Sequence, residues 1–128
     1  MKVSELDGAS LDAAVARCEG YLPPVMYSPN EGEPAALWMP HPTLPHFRVE
    51  DWHPSTQWAQ GGPIIERERI SVETDRMLRP EAPVTWVAFI WDDPKHYTSL
   101  GAPTPLIAAM RLYVMTKYGE ELDEEPAP

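Results

Sequence analysis

The sequence predicts an α+β domain, a small antiparallel sheet packed against two helices with a long, ordered, proline-rich loop wrapped around one edge. Three observations lead there. An apolar stripe at helical spacing opens the chain, a capped apolar helix closes it, and β-branched and aromatic residues fill two short runs between them. With 128 residues the chain is sized for one self-sufficient core, and residues 1–119 are read as that single domain.

The first helix is expected from Ser10 to Glu19, capped by Ser10 and stopped by Gly20. Leu11, Ala14, Val15 and Cys18 fall at i, i+3, i+4 and i+7, one stripe turned to the core. On that stripe the lone cysteine reads as a small buried hydrophobe rather than a nucleophile. Eight of the sixteen prolines lie between residues 23 and 54. Each lacks an N–H and disfavours helix before it, so residues 23–54 are predicted to be an irregular extended wrap. Tyr27, Leu37, Trp38, Met39, Leu44, Phe47 and Trp52 would pin the wrap onto the domain.

The run after Gly62-Pro63 fits a strand or a short helix, and proline at a first helical position with the helix formers Glu66, Arg67 and Glu68 favours the short helix. Ile70–Thr74 alternates apolar and polar, and Val84–Trp91 is apolar almost throughout. They are predicted to pair as an antiparallel hairpin, the second strand central and covered on both faces. The last helix has Thr104 as cap, Pro105 at its first position and Gly119 as stop, with Leu106, Ile107, Met110, Tyr113 and Val114 on its apolar face.

Charge narrows the partners. The net charge is −10, with five acidic residues crowded between Glu120 and Glu125. Removing those five from the 20 acidic residues leaves 15 against 10 basic ones in residues 1–119. Residues 120–128 are therefore expected to be a disordered acidic tail. Duplex nucleic acid is excluded as a partner because its binding depends on neutralising phosphates with Lys and Arg. The chain shows no apolar h-region at its start and no apolar run long enough to span a membrane, and its one cysteine suits a reducing compartment.

Catalytic and metal motifs do not stand out. His41-x4-His46 and His46-x6-His53 match no zinc spacing, and Asp92-x3-His96 is a common pairing, so no metal and no cofactor are expected and the histidines read as loop anchors. No Gly-x-Ser-x-Gly occurs, and Pro54-Ser55-Thr56 reads as a turn. The chain is read as a non-enzyme. A hydrolase using Glu66 or Glu68 is the third-ranked reading.

The segment Trp58–Arg67 is different. Gly61 and Gly62 would precede a helix start, where backbone N–H groups and the positive dipole end favour an anion. Trp58 and Trp52 offer faces for stacking. Ser55, Thr56 and Gln60 supply neutral hydrogen-bonding groups, and Arg67 could meet phosphate. The candidate ligand-binding residues are thus Ser55, Thr56, Trp58, Gln60, Gly61, Gly62 and Arg67. The competing reading makes the glycines a mere turn and the tryptophans core.

Three blocks resemble the NinX-like family of small tailed-phage proteins. They are Met1–Leu6 leading into Leu11-Asp12-x-x-Val15-Ala16-x-x-x-Glu19-Gly20, the central Pro54–Glu68, and Gly101-x-Pro103–Arg111-x-Tyr113-Val114 with Lys117-x-Gly119-Glu120-Glu121. Gln57 departs from the family's usual acidic residue, and Arg69 from its usual glycine, which weakens the expected stop of the short helix. The resemblance implies an accessory protein in the cytoplasm of an infected bacterium. By analogy with such proteins, it implies capture of a small anionic, nucleotide-derived host immune signal, with a homo-oligomer expected. The alternative is an inhibitor or adaptor that binds a host protein.

Overall fold

A computed structural model describes residues 1–28, 36–75 and 83–123. In chain order the elements are α1 (Gly8–Cys18), β1 (Val25–Tyr27), β2 (Ala36–Met39), β3 (Phe47–Arg48), α2 (Trp58–Glu68), β4 (Ser71–Thr74), β5 (Trp86–Phe89), β6 (Thr98–Ala102) and α3 (Pro105–Tyr118). Short 3-10 turns precede α1 at Val3–Glu5 and follow β3 at Val49–Asp51. The fold is α+β, with three helices and two antiparallel three-stranded sheets.

The core is built on α3. Thr104 caps it by accepting the Ile107 N–H at 3.1 Å, Pro105 opens it, and Gly119 ends it at φ 82°. Its burial exceeds the single apolar face expected. Leu106, Ala108, Ala109, Met110, Leu112, Tyr113, Val114 and Met115 are all buried, so the helix is surrounded rather than half-wetted. One side meets β4, β5 and β6, and the other meets α1 and α2.

The expected hairpin forms, with Val72 opposite Ala88 and Thr74 opposite Trp86. β5 is central, yet only Ala88 is fully buried and Trp91, just past the strand, is 77% exposed. Full cover on both faces is therefore not what forms. β6 escapes sequence patterning because its alternation is inverted: Ser99 and Ala102 are buried while Leu100 points outward. Only small side chains fit where this strand meets α3, and Gly101 turns through φ 71°.

Two boundaries shift. α1 begins at Gly8 rather than Ser10, with Asp7 at the cap position. α2 begins at Trp58, so Pro63 lies inside it instead of opening it. The helix ends on Arg69, a non-glycine residue in the left-handed region at φ 57° and ψ 43°. The proline-rich segment is also more regular than predicted. β1, β2 and β3 form a sheet, pairing Met26 with Leu37 and Met39 with Phe47. Its prolines fall outside these strands, which leaves the ladders intact. Residues 29–35 of the expected wrap lie outside the described residues.

At the ends of the chain, Lys2 bridges Glu121, and Leu122 bonds to Met1 through both backbone groups at 2.8 Å. The start of the acidic segment is thus held to the N-terminus, and its residues 124–128 lie outside the described residues. Among the described residues no helix is long and apolar enough to cross a membrane.

Candidate functional site

The seven expected ligand-binding residues do not converge. Gly61 sits in the fourth position of α2 and its N–H donates to Gln57 O at 2.9 Å, so it is not a free anion donor. A Cβ there would lie 2.3 Å from Pro54 O and 3.1 Å from Leu106 Cδ1. The glycine exists for close packing. Gly62 lies one residue further along, where a Cβ would meet only the Trp58 ring at 3.9 Å.

Gln60 is a clamp: Oε1 accepts the His53 N–H at 2.5 Å and Nε2 donates to Asp51 O at 2.7 Å. Arg67 is committed elsewhere, gripping both Glu19 oxygens at 3.1 and 2.6 Å and also reaching Glu68 and the Tyr113 hydroxyl. These acceptors push its pKa up further. Trp58 is 58% exposed on the surface of α2, Thr56 is exposed, and Ser55 is buried. Of the seven, only Thr56 lines a cavity described below.

That cavity lies against the outer face of α1. Gly8, Ala9, Ala13 and Ala16 are too small to fill the space between this helix and the N-terminal sheet. A cavity of about 190 Å³ opens between Gly8, Ala9, Asp12 and Ala13 on one side and Met39, Val49, Trp52, His53 and Thr56 on the other. A second cavity, of about 260 Å³, adjoins it and is bounded by Ala13, Ala16, Arg17, Tyr21, Leu22 and Met39. Ala13 and Met39 belong to both and form a waist between them. Behind the wall, Tyr21, Phe47 and Trp52 make an aromatic cluster with ring centroids 5.0–6.1 Å apart.

Asp12 is the chemical centre of the first cavity, and it is 5% exposed. Oδ1 accepts the Ser55 N–H at 2.9 Å, Oδ2 stands 3.7 Å from His53 Nδ1, and its carbonyl takes the Trp52 indole N–H at 2.9 Å. Burial raises the Asp12 pKa; the nearby hydroxyl and N–H of Ser55, and then His53, hold the rise in check. That hydroxyl is itself buried, in no orientation that makes a good hydrogen bond.

Asp12, His53 and Ser55 have the residue types of a nucleophilic triad but not its wiring. His53 places Nε2 on Glu50 O at 2.5 Å and Nδ1 3.7 Å from Asp12 Oδ2, and neither nitrogen is hydrogen-bonded to Ser55 Oγ. Burial pushes the Cys18 thiol up to about 12, which disfavours the reactive thiolate. His41 anchors a loop, accepting the N–H groups of Thr43 and Leu44 on Nδ1. Among the described residues no three His, Cys, Asp or Glu side chains are grouped to hold a metal.

Sequence reasoning missed this groove because its signal is an absence of bulk. Ala9, Ala13 and Ala16 recur at i, i+4 and i+7 on the face opposite the apolar stripe, where small residues read as neutral filler.

Comparison with known proteins gives one family. The family described as Bacteriophage P22, NinX matches residues 2–117, nearly the whole folded chain. No curated protein matches the sequence. With both helical ends and the central block inside one continuous match, the chain belongs to the phage P22 NinX family.

Proposed function

We propose that this phage protein binds and sequesters a small nucleotide-derived ligand, a host signal in the infected cell, in the groove between α1 and the N-terminal sheet. The observation that carries this reading is the pair of adjoining cavities with chemically opposite ends. One end holds the buried Asp12 carboxylate among apolar walls, and the other holds Arg17, which is exposed and has no ion-pair partner among the described residues. A mostly apolar cleft with few, well-placed polar groups is the usual form of a small-molecule site. In this reading the ligand is held without conversion, which is supported by the absence of any histidine nitrogen hydrogen-bonded to Ser55 Oγ.

Calorimetry with mononucleotides, cyclic dinucleotides and cyclic ADP-ribose isomers tests the reading. Binding is expected below about 100 μM, roughly −5.5 kcal/mol, with the ligand recovered unchanged. Ala13→Phe should block the waist and abolish it. If no member of the panel binds at that level, the proposal fails.

A second reading, an inhibitor or adaptor for a host protein, draws on exposed aromatics: Trp91 is 77% and Trp58 58% exposed. Deleting residues 124–128 leaves the Lys2–Glu121 bridge in place and separates the two. A groove binder keeps its ligand affinity, whereas an inhibitor that uses the acidic tail loses its partner. The same exposed side chains would serve a homo-oligomer, which sedimentation would reveal.

A further inference from the structure

We infer that the Asp12 end of the groove reads a planar ring with two adjacent N–H donors, the N1–H and N2–H edge of guanine, and that the ligand is a guanine nucleotide with its phosphate toward Arg17. This rests on the groove being the ligand site, and it adds which base is chosen and which way the nucleotide lies.

The argument starts from hydrogen-bond capacity. An ionised carboxylate only accepts, with about four lone-pair positions. At Asp12 one position on Oδ1 is used by the Ser55 N–H, the Ser55 hydroxyl lies near the carboxylate, and His53 Nδ1 stands 3.7 Å from Oδ2, beyond hydrogen-bond distance. Each oxygen therefore retains acceptor capacity, and the residue lines a cavity while being 95% removed from solvent. An acceptor pair buried in this way costs free energy until donors reach it.

The bases differ in what they offer. Guanine presents two N–H donors side by side and satisfies both oxygens. Adenine and cytosine each set an amino donor beside a ring-nitrogen acceptor, whose lone pair would face the carboxylate. Uracil has a single N–H flanked by two carbonyls. Around Asp12 the walls suit ring faces, with Met39, Val49 and Trp52 opposite Ala9 and Ala13.

Orientation follows from charge. The N-terminus of α1 carries about half a positive charge, but the Asp12 carboxylate beside it repels phosphate. Arg17 carries a full positive charge one helical turn beyond Ala13, in the adjoining cavity. Glu19, the nearest acid along the helix, is already held by Arg67. The phosphate therefore belongs at the Arg17 end.

Calorimetry of the full chain with GMP, AMP, CMP, guanosine and methylguanidine decides the matter. GMP should bind about tenfold or more tighter than AMP or CMP, the discrimination of a good bidentate pair. Asp12→Asn keeps an oxygen for the Ser55 N–H but offers one donor and one acceptor. It should erase most of the GMP preference while the melting temperature confirms folding. Arg17→Gln should weaken GMP and leave guanosine unchanged.

Equal binding of GMP and AMP would overturn the guanine assignment and leave the groove reading standing. Methylguanidine binding as tightly as GMP would also overturn it, since a bare guanidinium shares the donor pair. GMP binding that survives Ala13→Phe would remove the groove itself, and with it both readings.

Discussion

The two sheets are alike on paper, each three-stranded and antiparallel, yet they do different jobs. The C-terminal sheet is a layer of the core, pressing the fully buried Ala88, Ser99 and Ala102 against α3. The N-terminal sheet keeps Val25, Met26 and Leu37 at 51%, 65% and 40% exposure, and among its described side chains only Met39 is buried. One sheet has a helix laid along it. The other faces α1 through Met39 across the two cavities, and those cavities are the groove. Stability and, in the proposed function, recognition are thus carried by different halves of the molecule.

The sharpest test of this division compares two leucine-sized truncations. Leu112 on α3 is fully buried, and Leu112→Ala should cost about 3 kcal/mol through lost burial and the cavity left behind. Met26→Ala on the N-terminal sheet should change stability by less than about 0.5 kcal/mol. Urea unfolding reads both. Similar losses would mean the N-terminal sheet is as much a core layer as the other.

The next test sits on α2, which joins the halves. Gly61→Ala would drive a methyl to 2.3 Å from the Pro54 carbonyl and should cost about 2 kcal/mol as the helix lifts from the 53–56 turn. Gly62→Ala meets nothing nearer than 3.9 Å and should stabilise by about 0.5 kcal/mol through helix propensity. If Gly61→Ala were harmless and Gly62→Ala costly, the packing described for α2 would be reversed.

These glycines show what was legible in the sequence. Capping and stop signals placed α3 correctly because Thr104, Pro105 and Gly119 act locally. The β4–β5 hairpin was readable because β-branched and aromatic residues announce it. Gly61 was misread because its reason for being glycine is Pro54 and Leu106, partners brought up only by the fold. The partner of Arg67 was illegible for the same reason, since Glu19 is 48 residues distant. The groove lay in side chains too small to fill space, and no periodicity reports that.

A smaller effect is expected where α1, α2 and α3 meet. Glu19 is 11% exposed; burial raises its pKa, but hydrogen bonds from Arg67 and Tyr113 and the charge of Arg67 outweigh this and leave it lowered. Glu19 therefore contributes stability above its ordinary value of 4.5, and loses it as pH falls through the lower folded value. Asp12 is shifted the opposite way, so acid relieves rather than removes its contribution. Glu19→Gln should cost about 1.5 kcal/mol at pH 7, less than a fully buried pair because Arg67 is half exposed. It should also flatten the loss of stability below pH 4.5, which thermal melts at pH 7 and pH 3.5 would show. An unchanged acid slope would mean Glu19 is not the group that titrates.

The smallest effect concerns the end of α2. Arg69 holds φ 57°, where a Cβ crowds the following carbonyl at a cost of about 1 kcal/mol. Its N–H still closes the helix onto Glu66 O at 3.3 Å, and Ile70 N–H reaches Ile65 O at 3.0 Å, so the capping bonds depend on the conformation and not on the arginine. Glycine adopts that conformation freely but also gains freedom in the unfolded chain, which returns part of the advantage. Arg69→Gly should therefore stabilise by about 0.5 kcal/mol in urea unfolding, with ligand affinity at the α1 groove unchanged. A loss of stability would show that the exposed arginine side chain contributes more than its backbone strain costs. A change in affinity would show that the end of α2 and the groove are coupled, against the separation of the two halves.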